Sequence, residues 1–139
     1  MNITIKKLNP TDLDKFTQLI RVFEAVFEME NFNIPAEKYL QQLLTKADFF
    51  VFVAVLNNRV VGGLTAYILQ QYYAVSPLLY IYDLAVETTL QRKGIGKLLI
   101  SNLNSYYKEM GFEEVFVQAK KLDDEAIQFY RSTGASGTF

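Results

Sequence analysis

A strand that runs into a glycine turn, then a helix, then a second strand constrains this chain more than any other feature. Leu78–Glu87 is nearly all apolar or aromatic, and Gln91–Gly96 is a turn holding Gly94 and Gly96. Ile95, Leu98, Leu99, Leu103, Tyr106, Tyr107 and Met110 follow at helical spacing, ending before Gly111. Glu113–Ala119 is β-prone again. Such a crossover unit joins parallel strands with a right-handed connection. Upstream, Phe49–Leu56 is an unbroken apolar run, and Asn57-Asn58 suits the positive φ of a tight hairpin turn. Arg59–Tyr73 then reads as a longer strand, in which Gly62-Gly63 marks a bulge or a close backbone approach. A hairpin and a crossover in one sheet require it to be mixed.

Asn2–Leu8 reads as a short strand ahead of two amphipathic helices. In the first, Leu13, Phe16, Leu19, Ile20, Phe23, Val26 and Phe27 keep helical spacing, and Thr11-Asp12-Leu13-Asp14 resembles a capping box. In the second, Pro35 suits a first helical position, and Tyr39, Leu40, Leu43 and Leu44 form its apolar face. Glu28–Asn33 lies between them as a loop or frayed end. Asp123–Thr133 is the last helix, stopped by Gly134. The order is β-α-α-β-β-β-α-β-α, an α+β chain of one domain, 1–139.

Composition removes much of the available chemistry. The chain has no Cys and no His, so thiol nucleophiles, thiolate metal sites and imidazole bases are excluded. Proton transfer falls to Asp, Glu, Tyr, Lys or water. With 14 Lys+Arg against 15 Asp+Glu, no basic field tracks nucleic acid. No apolar run approaches a membrane span, and Met1–Pro10 carries no apolar leader core, so a cytoplasmic chain is expected.

The turn after Leu78–Glu87 carries the chemistry. Free backbone N–H groups at a helix start attract phosphate, and glycines let a ligand approach the backbone. Arg92, Lys93 and Lys97 crowd the same turn. Cations there oppose the helix dipole by roughly 0.3–1 kcal/mol each, which an anion would relieve. A dinucleotide fingerprint would need Gly at position 99, where Leu99 stands. A P-loop would need Gly at position 91 and Ser or Thr at 98, where Gln91 and Leu98 stand.

Gln91-x-x-Gly94-x-Gly96 after an apolar strand resembles the acetyl-CoA pyrophosphate loop of the GCN5-related N-acetyltransferase (GNAT) superfamily. Asp123-Asp-Glu-Ala-Ile-Gln-Phe-Tyr130-Arg-Ser-Thr-Gly134 is similar to that family's later helix, Asn-x-x-Ala-x-x-x-Tyr-x-x-x-Gly. Within the superfamily, Val60-Val-Gly-Gly-Leu-Thr-Ala-Tyr67, Ile81-Tyr-Asp-Leu-Ala-Val86, Val117-Gln-Ala119 and Asp123-Asp124 resemble aminoglycoside 3-N-acetyltransferases. The implied fold is the acyl-CoA N-acyltransferase (GNAT) fold, a mixed sheet flanked by helices. Two departures stand out. Asp123 replaces the family's Asn, and the chain ends at Phe139, where the family continues into two more strands. Those strands are expected to be missing.

The resemblance implies acetyl transfer from acetyl-CoA, as co-substrate and without a metal, to a primary amine of a small molecule. An aminoglycoside is the first reading. A peptide or polyamine acceptor, or a non-catalytic acetyl-CoA-binding module, stays open. Asp83, inside an apolar strand where burial raises a carboxyl pKa, is the expected base, with Glu87 second. Tyr130 aligns with the tyrosine that protonates the departing thiolate. Leu84, Ala85 and Val86 would serve the cofactor through their backbones. Gln91, Arg92, Lys93, Gly94, Ile95, Gly96 and Lys97 would hold the pyrophosphate, with Asp123 also on the cofactor. Tyr72, Tyr73, Tyr80 and Tyr82 are expected mostly to pack on the sheet. Glu24, Glu28 and Glu30 are expected mostly to be solvated. Val115-Phe116-Val117 as an apolar open edge leads to an expected homodimer.

Overall fold

The computed structural model describes residues 1–72, 74, 75 and 77–110, and the backbone of 115–117. The strands are β1 (Thr4–Lys7), β2 (Phe49–Leu56), β3 (Arg59–Leu69), β4 (Leu78–Val86) and β5 (Val115–Val117). The helices are α1 (Leu13–Val26), α2 (Glu37–Leu44) and α3 (Ile95–Glu109), with a 3₁₀ turn at Thr88–Leu90. The sheet order is β1-β2-β3-β4-β5. The first three pairings are antiparallel and β4–β5 is parallel, so the sheet is mixed as expected.

Helices cover both faces, and this explains why β2 has no polar alternation. Phe50, Phe52 and Ala54 face α3, where Leu64, Ala66, Leu79, Ile81, Ile95, Leu99, Ile100 and Leu103 complete one core. Phe49, Val51 and Val53 face α1 and α2, against Phe16, Leu19, Phe23, Leu40 and Leu44. Buried Tyr107 of α3 donates its hydroxyl to Pro77 O at 2.7 Å, tying the helix to the start of β4.

The β2–β3 turn takes the anticipated form, with Asn57 at φ 50° and Asn58 at φ 62°. Both readings of Gly62-Gly63 apply. The register slips beside Gly62, where Ala54 pairs with Gly62 but Val55 pairs with Val60. A Cβ on Gly63 would lie 2.5 Å from Phe52 O and 2.7 Å from a Leu19 methyl, so α1 packs directly on bare backbone there.

Three local expectations are corrected. No side chain caps α1, whose N-cap is Asp12. The Asp12 carboxylate turns back to accept from Asn9 N (2.9 Å) and Lys6 Nζ (2.8 Å), and Thr11 Oγ1 donates to Asn9 Oδ1 (2.5 Å). The loop's own donors thus take the groups a capping box would use. Pro35 lies outside α2, which starts at Glu37 after Ala36 in an extended conformation. The third strand ends at Leu69 rather than Tyr73, because the polar Gln70-Gln71 pair leaves the sheet. The helix Asp123–Thr133, the outer residues of Glu113–Ala119 and any strand past Gly134 lie outside the described residues.

Candidate active site

The site is built around an irregularity in β4. Thr65 pairs with Asp83 but Ala66 pairs with Ile81, so Tyr82 is an extra residue, a β-bulge. Before it, Leu79 and Ile81 face the α3 core, and after it Leu84 and Val86 do. The bulge thereby places two consecutive side chains, Tyr82 and Asp83, on the opposite face. Tyr82 meets Tyr67 edge-on at 5.8 Å between ring centroids, and Asp83 lies across from Thr65.

Asp83 is partly buried, and that burial pushes its carboxyl above the usual aspartate range. Among the described residues it has no hydrogen-bond or ion-pair partner. Glu87, the carboxylate just past the end of this strand, is different. It is ion-paired with Arg59, and its own N–H donates to Val61 O at 2.9 Å. That pairing holds the strand end in place and leaves Asp83 as the carboxylate of β4 without a cation.

Among the described residues, the far edge of β4 is only partly covered. Among the described residues, β5 pairs with Leu79, Tyr80 and Ile81 alone. Leu84, Ala85 and Val86 pair with Leu64, Gly63 and Gly62 on the β3 side. Their side chains sit in the core, as expected of residues acting through the backbone. On the β5 side their peptide groups have no strand partner among the described residues, and an extended ligand can hydrogen-bond such an edge.

Beyond β4, the 3₁₀ turn leads into the glycine turn. Gln91 Nε2 donates to Val86 O at 3.0 Å, so the Gln91 side chain anchors the turn to the strand end. Arg92 (φ 64°) and Gly94 (φ 84°) both adopt the left-handed region. Gly94 is the N-cap of α3 and offers no capping side chain. The first backbone bond of the helix is Leu98 N to Gly94 O (3.0 Å), which leaves the amides of Ile95, Gly96 and Lys97 ahead of the ladder. A Cβ on Gly94 would meet nothing within 4 Å. Its space is therefore open to a ligand. Arg92, Lys93 and Lys97 are exposed and make no ion pair among the described residues. Uncapped amides, open space and unpaired cations fit a diphosphate. Ile95 differs from its neighbours, since its side chain is buried and only its amide is available.

Tyr130 and Asp123 lie outside the described residues, as does Tyr73. Two tyrosines depart from the packing expectation. Tyr72 is 97% exposed and Tyr82 63% exposed. Glu24 is paired with Arg21, while Glu28 and Glu30 are exposed. A groove of about 500 Å³ between α1 and the end of β4 is lined by Arg21, Arg59 and Glu87. Its charges are already paired, and none of the cations of the glycine turn line it. Among the described residues, no three acidic side chains gather to hold a metal, and no helix is long and apolar enough to cross a membrane.

Residues 16–135 match the acetyltransferase (GNAT) family. Aminoglycoside acetyltransferase meta-AAC0020, from an uncultured soil metagenomic sample, superposes with a TM-score of 0.90 at 59% identity. The match covers 99% of this chain and 91% of that one, in a crystal structure with trehalose. A second crystal structure of that enzyme holds sisomicin. Aminoglycoside acetyltransferase HMB0005, also from uncultured soil, gives 0.90 at 31% identity over 100% of this chain and 95% of that one. AAC(6')-Iy, bound to a CoA-linked bisubstrate analogue, shares the fold at 17% identity and TM-score 0.82, over 100% and 94% of the chains. Among curated proteins, none matches the chain.

The chain belongs to the acetyltransferase (GNAT) family. It has the GNAT fold and is an acetyl-CoA-dependent N-acetyltransferase.

Proposed function

We propose that this acetyltransferase acts on a primary amine of an aminoglycoside, at the 3-amine, with Asp83 as the base. The observation that carries the reading is Asp83 itself, a carboxylate without a partner among the described residues, just after the β4 bulge. Support for the acceptor class comes from likeness to meta-AAC0020, which was crystallised with sisomicin. The Ile81–Val86 block supports the 3-position by its resemblance to 3-N-acetyltransferases.

Acetyl-CoA, when bound, supplies the acetyl group. The amides of Ile95, Gly96 and Lys97, the open space at Gly94 and the side chains of Arg92, Lys93 and Lys97 would hold its diphosphate, with Gln91 fixing the turn. The backbone of Leu84, Ala85 and Val86 would hydrogen-bond its extended arm. An amine with a pKa near 10.4 arrives protonated and must lose that proton before attack. Asp83 accepts it, directly or through one water, and the raised carboxyl pKa strengthens it as a base. Tyr130 is assigned to protonate the leaving thiolate and Asp123 to contact the cofactor. No Cys exists to carry an acetyl-enzyme, so transfer is direct.

Completing the proposal are a single domain over 1–139, a cytoplasmic setting and a homodimer joined along β5, which sedimentation tests. Thiol release from acetyl-CoA in the presence of sisomicin, followed by NMR of the product, tests the reaction. Acetylation at the 3-amine is the expected result. Acetylation elsewhere on the ring refutes the position alone, and turnover only with peptides or linear polyamines refutes the acceptor class.

A further inference from the structure

Thr65 is the single polar side chain in the run Val60–Ala66 of β3, and it is 7% exposed. Leu64 and Ala66 on either side face the α3 core, so Thr65 points to the opposite face, the one that carries Asp83. Its surroundings there are apolar. Val51, its partner on β2, is buried. Its same-face neighbours along β3 are Gly63, which lies under Leu19, and Tyr67, whose ring packs on Phe49. A Val would fill this place with the same shape and an equal liking for a strand. A buried hydroxyl costs stability unless it is hydrogen-bonded.

Among the described residues, the Thr65 hydroxyl has no such partner. Nor is any polar side-chain atom of those residues sealed from water without one, so the hydroxyl opens onto solvent through the little surface that Thr65 keeps. Asp83 stands directly across on β4, brought to this face by the bulge, and it too is without a partner among the described residues. Opposed residues of an antiparallel pair hold their Cβ atoms about 4.5–5.5 Å apart. A hydroxyl and a carboxylate that face the same space at that spacing, with no direct bond between them, suit one shared water.

Resting on Asp83 as the base, we propose that Thr65 is a positioning residue that holds one water between its Oγ1 and the Asp83 carboxylate. The hydroxyl donates to the water, which points one hydrogen at Asp83 and keeps a lone pair for the substrate ammonium. The ammonium passes its proton to the water as the water passes one of its own to Asp83. The carboxylate ends as a carboxyl, the water is regenerated, and the freed amine attacks the acetyl carbonyl. Thr65 touches neither the acetyl group nor the amine.

The test joins a high-resolution crystal structure of the CoA-loaded protein to the kinetics of Thr65→Val, Thr65→Ser, Asp83→Asn and the Thr65→Val/Asp83→Asn double variant. Sisomicin and spermidine are both used, so that the result does not depend on the acceptor class. The crystal structure shows a water within about 3.2 Å of both Thr65 Oγ1 and an Asp83 oxygen. A direct bond between the two side chains, or a Thr65 hydroxyl bonded elsewhere in the protein, overturns the proposal. Thr65→Val lowers kcat about tenfold, a part of the roughly 10²–10⁴ that a general base contributes, and leaves KM and the Kd of CoA in place. Thr65→Ser keeps the hydroxyl and recovers most of kcat. In the Asp83→Asn background, Thr65→Val costs nothing further. Thr65→Val also melts no lower than wild type, because no protein hydrogen bond is lost. Full kcat in Thr65→Val beside a depressed kcat in Asp83→Asn refutes the role of Thr65 and spares Asp83 as the base. Full kcat in Asp83→Asn removes the base and the role of Thr65 with it. Additive losses in the double variant, or a lower melting temperature of Thr65→Val without rescue in Thr65→Ser, make Thr65 structural.

Discussion

Asp12 and Asp83 carry the same side chain and end in opposite situations. Asp12 precedes α1 and is 7% exposed. Burial works against its charge, but the Lys6 ammonium at 2.8 Å, the Asn9 N–H at 2.9 Å and the charge of Lys15 outweigh it. Its carboxyl therefore lies below the usual range. Asp83 is also withdrawn from water, but among the described residues no donor answers it, and its carboxyl lies above that range. The fold uses the first aspartate as a clamp between β1 and α1 and leaves the second available. Burial alone does not mark a functional carboxylate. Burial without a partner among the described residues, just after a bulge, is the informative combination.

The largest effect should separate the two aspartates by activity. Asp83→Asn lowers turnover by roughly 10²–10⁴, the usual share of general base catalysis, with little change in acetyl-CoA affinity. Asp12→Asn leaves kcat unchanged. Steady-state kinetics with sisomicin read both, and equal losses would erase the distinction. A smaller effect belongs to the cofactor turn. Gly94→Val puts a side chain where the structure is open and strains the φ of 84°. CoA binding by calorimetry should weaken more than about tenfold, or about 1.4 kcal/mol. Unchanged binding would move the cofactor elsewhere.

Stability should reverse the ranking of the aspartates. Asp12→Ala loses two charge-assisted hydrogen bonds, and the half-exposed Lys6 partner limits the cost to about 1–2 kcal/mol in urea denaturation. The smallest effect is on pH dependence. Asp83 has a folded pKa raised above 3.8, so its contribution favours the fold below 3.8 and is lost as pH rises through the folded value. Asp12 has a lowered pKa, so its contribution is present above 3.8 and is lost as pH falls through the folded value. Urea titrations from acid to neutral pH should show the first dependence disappear in Asp83→Asn and the second in Asp12→Ala.

The strand–turn–helix unit was legible because each step has a local cause: apolar residues for β4, glycines for the turn, a 3.6 period for α3. Asp83 was legible as a charge within an apolar strand. The bulge was missed, although β4 carries its trace. The α3-facing positions run Leu79, Ile81, Leu84, Val86, and the three-residue step between 81 and 84 breaks the strand period of two. The capping box failed for a different reason. Lys6, six residues away on β1, competes for Asp12, and a four-residue motif cannot register that partner.

Carbon-13 NMR titration of both aspartate carboxyls in one sample tests the account most directly. The account places the Asp12 midpoint below the ordinary 3.8 and the Asp83 midpoint above it. Coincident midpoints, or the reverse order, would mean that Asp83 has a partner of its own and is not the base of this acetyltransferase.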